Sequence, residues 1–209
     1  MYVVVVDTGF ANYHSVLKAI EKAGAEIDRL SVSRSRDERM IRQADKLVMP
    51  GQGGFKDCAA AFAEGLGEVI LERVRLGAPF FGICLGLQVL FESSEEAPGV
   101  AGLGLFPGRV AAIPRQPGLK IPHMGWNQLE AGAGAAQSAW VSDALGRWFY
   151  FDHSYHALPE DESLIVARAG YGASQITAAI GKDNVFATQF HPEKSQAAGL
   201  ALLTRFLRA

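Results

Sequence analysis

Cysteine is scarce in this sequence, where only Cys58 and Cys84 occur among 209 residues. Two cysteines are too few for a disulfide framework, so we expect both to be free thiols, as in a reducing compartment. This composition excludes the disulfide-rich secreted domains and predicts a cytoplasmic location.

Long hydrophobic runs and an excess of basic charge are also missing. No stretch approaches the roughly 18 uninterrupted apolar residues that a membrane-spanning helix requires. The N-terminal segment MYVVVVDTG has no basic residue before its apolar run and meets Asp7, so we expect neither a signal peptide nor a membrane anchor. The formal net charge of -2 lacks the basic excess that nucleic-acid binding usually needs, and nucleic acid is not an expected partner.

The length and the hydrophobic content indicate one ordinary globular unit. The chain has 209 residues, of which 49% are hydrophobic, so it can bury one sizeable core. It is rather short for two independent domains. No internal repeat, charge block or linker divides it. We therefore expect one domain over residues 1–209.

The first half of the chain alternates between apolar β-branched runs and segments whose apolar residues recur at helical spacing. Alternation of this kind favours an α/β fold in which helices cover both faces of a parallel sheet. The predicted strands are residues 2–6, 46–49 and 79–83, and the predicted helices are residues 12–24, 55–65, 66–76 and 86–93.

After Pro98 the pattern changes to strands with little helix between them, which predicts a smaller antiparallel extension of the sheet. An amphipathic helix over residues 197–207 closes the chain, and the small residues 131–139 predict a surface loop. The predicted strands of this half are residues 105–113, 126–129, 148–151, 164–167, 176–180 and 185–190.

A cysteine stands between two glycines where a predicted strand meets a predicted helix, in the segment GICLG at residues 82–86. This spacing predicts a tight strand-to-helix bend, the nucleophile elbow, with Cys84 on it. The glycines let neighbouring backbone approach and leave space for a substrate, and the following helix N-terminus favours the reactive thiolate. A free cysteine is also often a small buried hydrophobe, which remains the interpretation for Cys58. Whether Cys84 is a nucleophile or a packing residue depends on whether another part of the chain provides a base for it.

His191 ends the predicted strand VFATQF and precedes Pro192 and Glu193. Since a residue before proline favours extended backbone, His191 and Glu193 are expected to point to the same side. A carboxylate there can orient the imidazole and leave its other nitrogen free to act as a base. Taken alone, the tripeptide could also be a strand end or half of a metal site, but no further ligands at metal spacing accompany it. A cysteine on an elbow with an oriented histidine is the better account.

With these residues in view, the chain resembles the class I glutamine amidotransferases and, more narrowly, the glutaminase subunits of imidazole glycerol phosphate synthases. Segments containing PHMGWN and HPEKSQ separate it from the related anthranilate, carbamoyl phosphate and guanylate systems. The matching segments, in chain order, are MPGQGGF (49–55), GICLGLQVLFESSEEAPG (82–99), IPHMGWNQL (121–129), YFDHSYH (150–156) and FHPEKSQ (190–196).

The resemblance implies a flavodoxin-like fold and a Cys-His-Glu triad that hydrolyses glutamine to glutamate and ammonia without a cofactor. In that triad Cys84 attacks the side-chain carboxamide to form a thioester, His191 transfers the proton to the departing ammonia, and Glu193 orients His191. Backbone N–H groups of Gly53 and Leu85 would form the oxyanion hole.

The resemblance also implies a set of residues that bind the substrate glutamine. For the segment PGQGGF and for Glu96, the sequence also allows other interpretations. PGQGGF could be a mere strand-to-helix turn, although no Gly-Lys-Ser/Thr follows it as in a phosphate loop, and Gln52 stands where the family usually has a small apolar residue. Acidic runs such as ESSEE are usually solvated surface, which is the alternative for Glu96. The implied substrate-binding residues are Gly51, Gln52, Gln88, Glu96, His153, Ser154 and Tyr155.

A partner is implied as well, because ammonia must reach a synthase without loss to water. In this family the partner is a cyclase with a TIM barrel, and together they form a heterodimer. The implied interface and ammonia-exit residues are Asn12, Trp126, Tyr150 and Lys194, although Trp126 could equally be a core residue. The alternatives are a glutaminase subunit of another complex, such as an anthranilate synthase, or a catalytically silent binding subunit, against which the intact triad argues.

Overall fold

The computed structural model describes residues 1–62 and 65–209, and its secondary structure alternates as predicted in the first half. The helices are α1 Tyr13–Ala23, α2 Glu38–Gln43, α3 Phe55–Ala60, α4 Leu66–Arg75, α5 Leu85–Gln88 and α6 Gln196–Arg208, with short 3-10 helices at Ala135–Gln137, Glu162–Leu164 and Pro192–Lys194. The strands are β1 Tyr2–Val6, β2 Ser31–Ser35, β3 Lys46–Gly51, β4 Phe80–Cys84, β5 Ser93–Ser94, β6 Gly108–Ala112, β7 His123–Gln128, β8 Glu130–Ala131, β9 Trp148–His153, β10 Tyr155–Pro159, β11 Ile165–Tyr171, β12 Ser174–Lys182 and β13 Val185–Thr188.

The main sheet has eight strands in the order β2-β1-β3-β4-β13-β12-β11-β8. The first five are parallel to one another, and β12, β11 and β8 extend the sheet in antiparallel pairing. A three-stranded sheet, β10-β6-β5, and a two-stranded ribbon, β7-β9, stand beside it. The predicted α/β fold, a mostly parallel sheet with a smaller antiparallel extension, is therefore confirmed.

The alternation of side chains along β1 shows how helices come to cover both faces of the sheet. Val3 and Val5 are buried in a core that includes residues of α1 and α6, whereas Val4 and Val6 are buried in a second core with residues of α2, α3 and α4. Successive side chains of a strand point to opposite faces, so an uninterrupted valine run needs a core on each side. Each fully buried valine contributes about 1.5 to 3 kcal/mol to stability.

The carboxyl ends of three parallel strands meet at one edge of the sheet. In the register of the sheet, Gly51 at the end of β3 lies beside Cys84 at the end of β4, and Thr188 at the end of β13 lies beside Ile83. The segments that follow these strands are residues 52–54, the helix α5 and residues 189–193. Ligands of open α/β sheets bind outside such strand ends, so this edge is where a site is expected.

The predicted helix over residues 86–93 is wrong beyond its first turn, since α5 ends at Gln88. The carbonyl groups of Val89 and Leu90 accept hydrogen bonds from Leu103 and Leu105, at 2.7 and 2.8 Å, instead of continuing a helix. Gly102 permits this approach, because a Cβ on it would lie 2.1 Å from the carbonyl oxygen of Phe91. The helix thus ends because a loop about 15 residues further along the chain packs against it. The spacing of apolar residues within the helix cannot predict such a contact.

Smaller differences have similar causes. The helix predicted for residues 55–65 is observed as α3, which ends at Ala60, and residues 63 and 64 of that prediction lie outside the described residues. Neither β2 nor α2 was predicted, because β2 is a polar edge strand and α2 buries only Ile41. The loop predicted for residues 131–139 contains the end of β8 and one 3-10 turn. Among the described residues, no helix has the length and apolar character needed to span a membrane.

Candidate active site

Cys84 is the last residue of β4 and immediately precedes α5, as the elbow prediction requires. Its backbone has φ +56° and ψ −108°, a left-handed φ that is costly for a residue with a side chain. Strain of this kind persists only where the surroundings impose it, and it occurs often at reactive residues. The thiol is 7% exposed and lines a cavity, whereas Cys58 is fully buried and burial raises its thiol pKa to about 12. Of the two cysteines, Cys84 alone borders this cavity.

The glycines around Cys84 are required by backbone contacts. A Cβ on Gly82 would lie 2.5 Å from the carbonyl oxygen of Gly86, and a Cβ on Gly86 would lie 1.9 Å from that of Met49. These distances are shorter than van der Waals contact, so neither position accepts a side chain without moving backbone. The two glycines thus hold β3, β4 and α5 close together around the thiol.

His191 lies at the end of the neighbouring strand segment and is held by Glu193. Its Nδ1 is 2.8 Å from Glu193 Oε1, and both side chains are 2% exposed. Nδ1–H donates to the carboxylate, which leaves Nε2 free to accept a proton. Burial alone would lower the pKa of His191, but the charge and hydrogen bond of the facing Cys84 sulfur, with those of Glu193, raise it to about 10. The surroundings of His191 therefore favour the protonated form of its imidazole.

A cavity of about 520 Å³ opens at this strand edge, with Cys84 and His191 in its wall. Of the implied catalytic and substrate-binding residues, Gly51 and Glu193 do not line it, since Gly51 packs against Leu85 and Glu193 is bonded to the Nδ1 side of His191. The implied interface residues Asn12, Trp126 and Tyr150 do not line it either. Pro122 and Asp152 line it without having been predicted. The implied residues in its wall are Gln52, Gly53, Cys84, Leu85, Gln88, Glu96, His153, Ser154, Tyr155, His191 and Lys194.

The implied oxyanion loop follows β3 at the cavity edge. The backbone N–H of Gln52 donates to the carbonyl of Phe10 at 2.7 Å, so this N–H is not directed at a substrate. Gly53 lines the cavity with φ +93°, which glycine adopts without steric cost. Leu85, the first residue of α5, lines the cavity next to the thiol.

Gln88 and Glu96 occupy the cavity wall with fixed orientations. Gln88 is 4% exposed and donates both Nε2 hydrogens, to the Tyr155 carbonyl at 2.9 Å and to Gln189 Oε1 at 3.1 Å. Its remaining polar atom, Oε1, can only accept a hydrogen bond. Glu96 Oε2 accepts from the backbone N–H of Phe55 at 2.9 Å, so its carboxylate is anchored at the start of α3. The alternative that Glu96 is merely solvated surface does not describe this position.

A chain of buried histidines supports the cavity from behind, and no pattern in the sequence predicted it. His153 Nδ1 lies 2.8 Å from the Tyr155 carbonyl, His123 Nδ1 lies 3.0 Å from His153 Nε2, and Asn127 Nδ2 lies 3.2 Å from His123 Nε2. A carbonyl only accepts, so His153 donates to it, and neutral tautomers satisfy every link in turn. Burial lowers the pKa of His123 to about 4 and of His153 to about 3. Both rings are therefore neutral at pH 7.

Of the implied interface residues, Lys194 lines the cavity, whereas the side chain of Asn12 caps α1 by accepting from the Ser15 N–H. Trp126 pairs with Tyr150 across the β7-β9 ribbon, with ring centroids 6.2 Å apart, and is 44% exposed. The core alternative for Trp126 does not hold. Lys194 Nζ lies 5.6 Å from the centre of the Tyr150 ring.

Comparison with known proteins agrees with this geometry. Residues 4–209 match the family model described as glutamine amidotransferase class-I. The chain therefore belongs to the class-I glutamine amidotransferase family, which makes it an enzyme of that class.

Relatives narrow the assignment within the family. The chain is 48% identical over 205 residues to the imidazole glycerol phosphate synthase subunit HisH of Methanothermobacter thermautotrophicus, a match that covers 98% of this chain and 97% of that protein. It is 46% identical over 212 residues to the same-named subunit of Syntrophotalea carbinolica, with 98% of each chain covered. Within the family, the chain thus groups with the HisH subunits of imidazole glycerol phosphate synthase, as the sequence motifs predicted.

Solved structures support the fold independently. A crystal structure of a glutamine amidotransferase superposes with a TM-score of 0.71 at 20% identity, covering 99% of this chain and 97% of that one. The structure of PurLQS from Thermotoga maritima superposes with a TM-score of 0.64 at 19% identity, covering 99% and 95%. At such identities the likeness concerns the fold alone.

Proposed function

We propose that this chain is the glutaminase subunit of an imidazole glycerol phosphate synthase and acts through Cys84, His191 and Glu193. The single observation that carries the proposal is the cavity in which a strained cysteine faces a histidine that a buried carboxylate orients. This is the arrangement that activates a sulfur nucleophile. The description of the family model supports glutamine as the substrate, and the names of the HisH relatives support the synthase to which the subunit belongs.

The reaction follows from the positions of these groups. The Cys84 sulfur attacks the side-chain carboxamide carbon of glutamine after its proton has passed to His191 Nε2. The tetrahedral intermediate collapses as His191 protonates the leaving nitrogen, which departs as ammonia and leaves a glutamyl thioester. Water, deprotonated by His191, then hydrolyses the thioester and releases glutamate and the thiol.

The cavity wall offers partners for each end of the substrate. The Gly53 and Leu85 N–H groups are the proposed oxyanion donors, each able to stabilise the transition state by about 3 to 4 kcal/mol. The anchored carboxylate of Glu96 matches the substrate ammonium, and Gln88 Oε1 can accept a further N–H. Residues 153–155 and Gln52 also line the cavity, and a hydrogen bond from His153 to the Tyr155 carbonyl fixes the first of these segments.

The proposed partner is a cyclase subunit with a TIM barrel, bound as a heterodimer at the cavity mouth and in the cytoplasm. The outward face of the β7-β9 ribbon exposes Met124, Trp126 and Trp148, at 61%, 44% and 55%, which is unusual for large apolar side chains. Tyr150 and Lys194 join this face to the cavity. A cyclase seated there would receive ammonia beside Lys194 rather than through bulk water.

The test separates the two half-reactions in the assembled complex. Cys84→Ala should abolish imidazole glycerol phosphate synthesis with glutamine and leave synthesis with added ammonia intact, both followed by product formation. The control Cys58→Ala should keep both activities, because the Cys58 thiol is buried away from the cavity. Loss of both activities in Cys84→Ala would show that Cys84 is structural, and stimulation by an anthranilate synthase subunit instead of the cyclase would reassign the complex.

A further inference from the structure

Gln189 stands beside the reactive sulfur and has no role in the sequence-derived site. It follows β13 directly, its side chain is fully buried, and its backbone N–H donates to the Ala178 carbonyl at 2.8 Å. Because β13 pairs with β4 in parallel register, the residue after Thr188 lies next to Cys84. A buried amide without partners would destabilise the fold, so its contacts indicate why a glutamine is present.

Both ends of the Gln189 amide are engaged within the site. Nε2 lies 3.6 Å from Cys84 Sγ, and Oε1 accepts from Gln88 Nε2 at 3.1 Å. The other hydrogen of Gln88 Nε2 goes to the Tyr155 carbonyl at 2.9 Å. Gln189 does not line the cavity, so it reaches the sulfur from the protein side and not from the substrate side.

The orientation of the amide follows from its neighbours. The Tyr155 carbonyl can only accept, so the Gln88 atom facing it must be the donor Nε2. That nitrogen also faces Gln189, which must therefore present Oε1 to it and direct its own N–H toward Cys84. The amide cannot turn over without placing two donors against each other at Gln88.

We propose that Gln189 is a further catalytic residue, whose N–H, oriented by Gln88, stabilises the Cys84 thiolate when the proton moves to His191. A hydrogen bond to the charged form of an acid favours that form, and here the donor is fixed before the reaction begins. The donor thereby increases the fraction of the sulfur that is ionised and able to attack the carboxamide carbon, so its removal should slow acylation. This inference rests on the proposed function for its catalytic meaning, whereas the hydrogen bond to the sulfur can be tested without glutamine.

The test measures the rate of Cys84 alkylation by iodoacetamide as a function of pH in the full-length chain. Replacing Gln189→Met keeps the volume and removes the N–H, so we expect the pH midpoint of alkylation to rise by about 1 unit and the rate at pH 7 to fall several-fold. Cys84→Ala gives the background from Cys58, which is buried and protonated at these pH values. The matched control Gln43→Met, at an exposed position of α2, should leave the midpoint unchanged.

Two further measurements make the result decisive. Gln88→Met frees the Gln189 amide to rotate and should therefore raise the pH midpoint of Cys84 alkylation by a smaller amount. This variant replaces Gln189→Met in the test if circular dichroism shows that Gln189→Met does not fold. In the complex, Gln189→Met should lower kcat for glutamine hydrolysis at least 10-fold with little change in KM, because the residue contacts the sulfur and not the cavity. An unchanged alkylation midpoint in a folded variant would overturn the inference, even if glutaminase activity is established. A shifted midpoint in a chain without glutaminase activity would refute the proposed function alone.

Discussion

At the scale of single residues, the buried histidines contrast with His191. His123 stacks between Phe151 and Tyr171, with ring centroids 4.7 and 4.0 Å away, and hydrogen-bonds on both of its nitrogens. Its lowered pKa of about 4 means that the folded protein keeps it neutral where the unfolded chain would protonate it. His191 has the opposite environment, because the Cys84 sulfur and the Glu193 carboxylate both attract a proton to it. Two histidines of one site are thus held in different charge states.

His123→Phe tests this assignment through stability. Phenylalanine can keep the stacking but removes the partner of His153 Nε2 and one of the two acceptors of Asn127 Nδ2. At pH 7 we therefore expect the free energy of unfolding to fall by about 1 to 3 kcal/mol. The stability that a neutral His123 contributes is present above about pH 6.5 and is lost as the pH falls toward 4. The variant should therefore lose less stability than the unaltered protein between pH 6.5 and 4, measured by urea unfolding. The exposed His14→Gln control should follow the unaltered protein, and a variant with the same acid slope would contradict the assignment.

At the scale of elements, the site depends on the contact of α5 with the ends of β3 and β4. Cys84 can hold its left-handed backbone because Gly82 and Gly86 let these three elements approach within backbone contact. The single-turn α5 then ends at Gln88, and the segment 102–106 donates hydrogen bonds to the carbonyls of the residues that follow α5. The elbow is consequently a product of three chain segments and not of the strand and helix alone.

Gly86→Ala tests the close approach. Its Cβ would meet the Met49 carbonyl oxygen, which is backbone and cannot rotate away, so we expect a loss of about 3 kcal/mol in unfolding free energy and a displaced thiol. Gly104→Ala is the control, because a Cβ on Gly104 would have no atom within 4 Å and would meet only the strain of a positive φ of +59°. It should cost about 1 to 2 kcal/mol for backbone strain alone. Equal losses in the two variants, measured by thermal and urea unfolding, would rule out the steric explanation.

At the scale of the whole molecule, one surface combines the cavity mouth with exposed aromatic residues. Register pairing places Met124, Trp126 and Trp148 on the outward face of the β7-β9 ribbon, and the buried side chains of the same ribbon include His123 and His153. Asp152, which pairs with Met124 in this ribbon, also lines the cavity, so the ribbon borders the cavity directly. This arrangement gives the proposed cyclase direct access to the site without an intervening domain.

Trp126→Ala should weaken cyclase binding at least 30-fold, measured by titration calorimetry, since a central exposed tryptophan is a typical interface anchor worth about 2 kcal/mol or more. Leu76→Ala is the matched control. Leu76 is 69% exposed at the end of α4 and belongs to no implied interface, so its removal should leave the affinity unchanged. If Trp126→Ala binds as tightly as the unaltered chain, the partner docks elsewhere.

Local patterns in the sequence were sufficient for the alternating elements, the elbow and the family. These patterns are the valine run of β1, the helical spacing of apolar residues and the glycines on either side of Cys84. Each reflects contacts within a few residues or the burial of one segment, so it can be recognised from the sequence alone. Where an element was polar or short, as in β2 and α2, no such pattern existed and both were missed.

Only the tertiary structure decided which polar side chains meet at the sulfur. Gln189 is 105 residues from Cys84 and 101 from Gln88, and His123 is 30 residues from His153. Hydrogen-bond partners so far apart leave no periodic trace, because their meeting depends on strand order and register and not on spacing. The sequence by itself determined the residue types of the proposed nucleophile and base, and the sheet determined the donors that surround them.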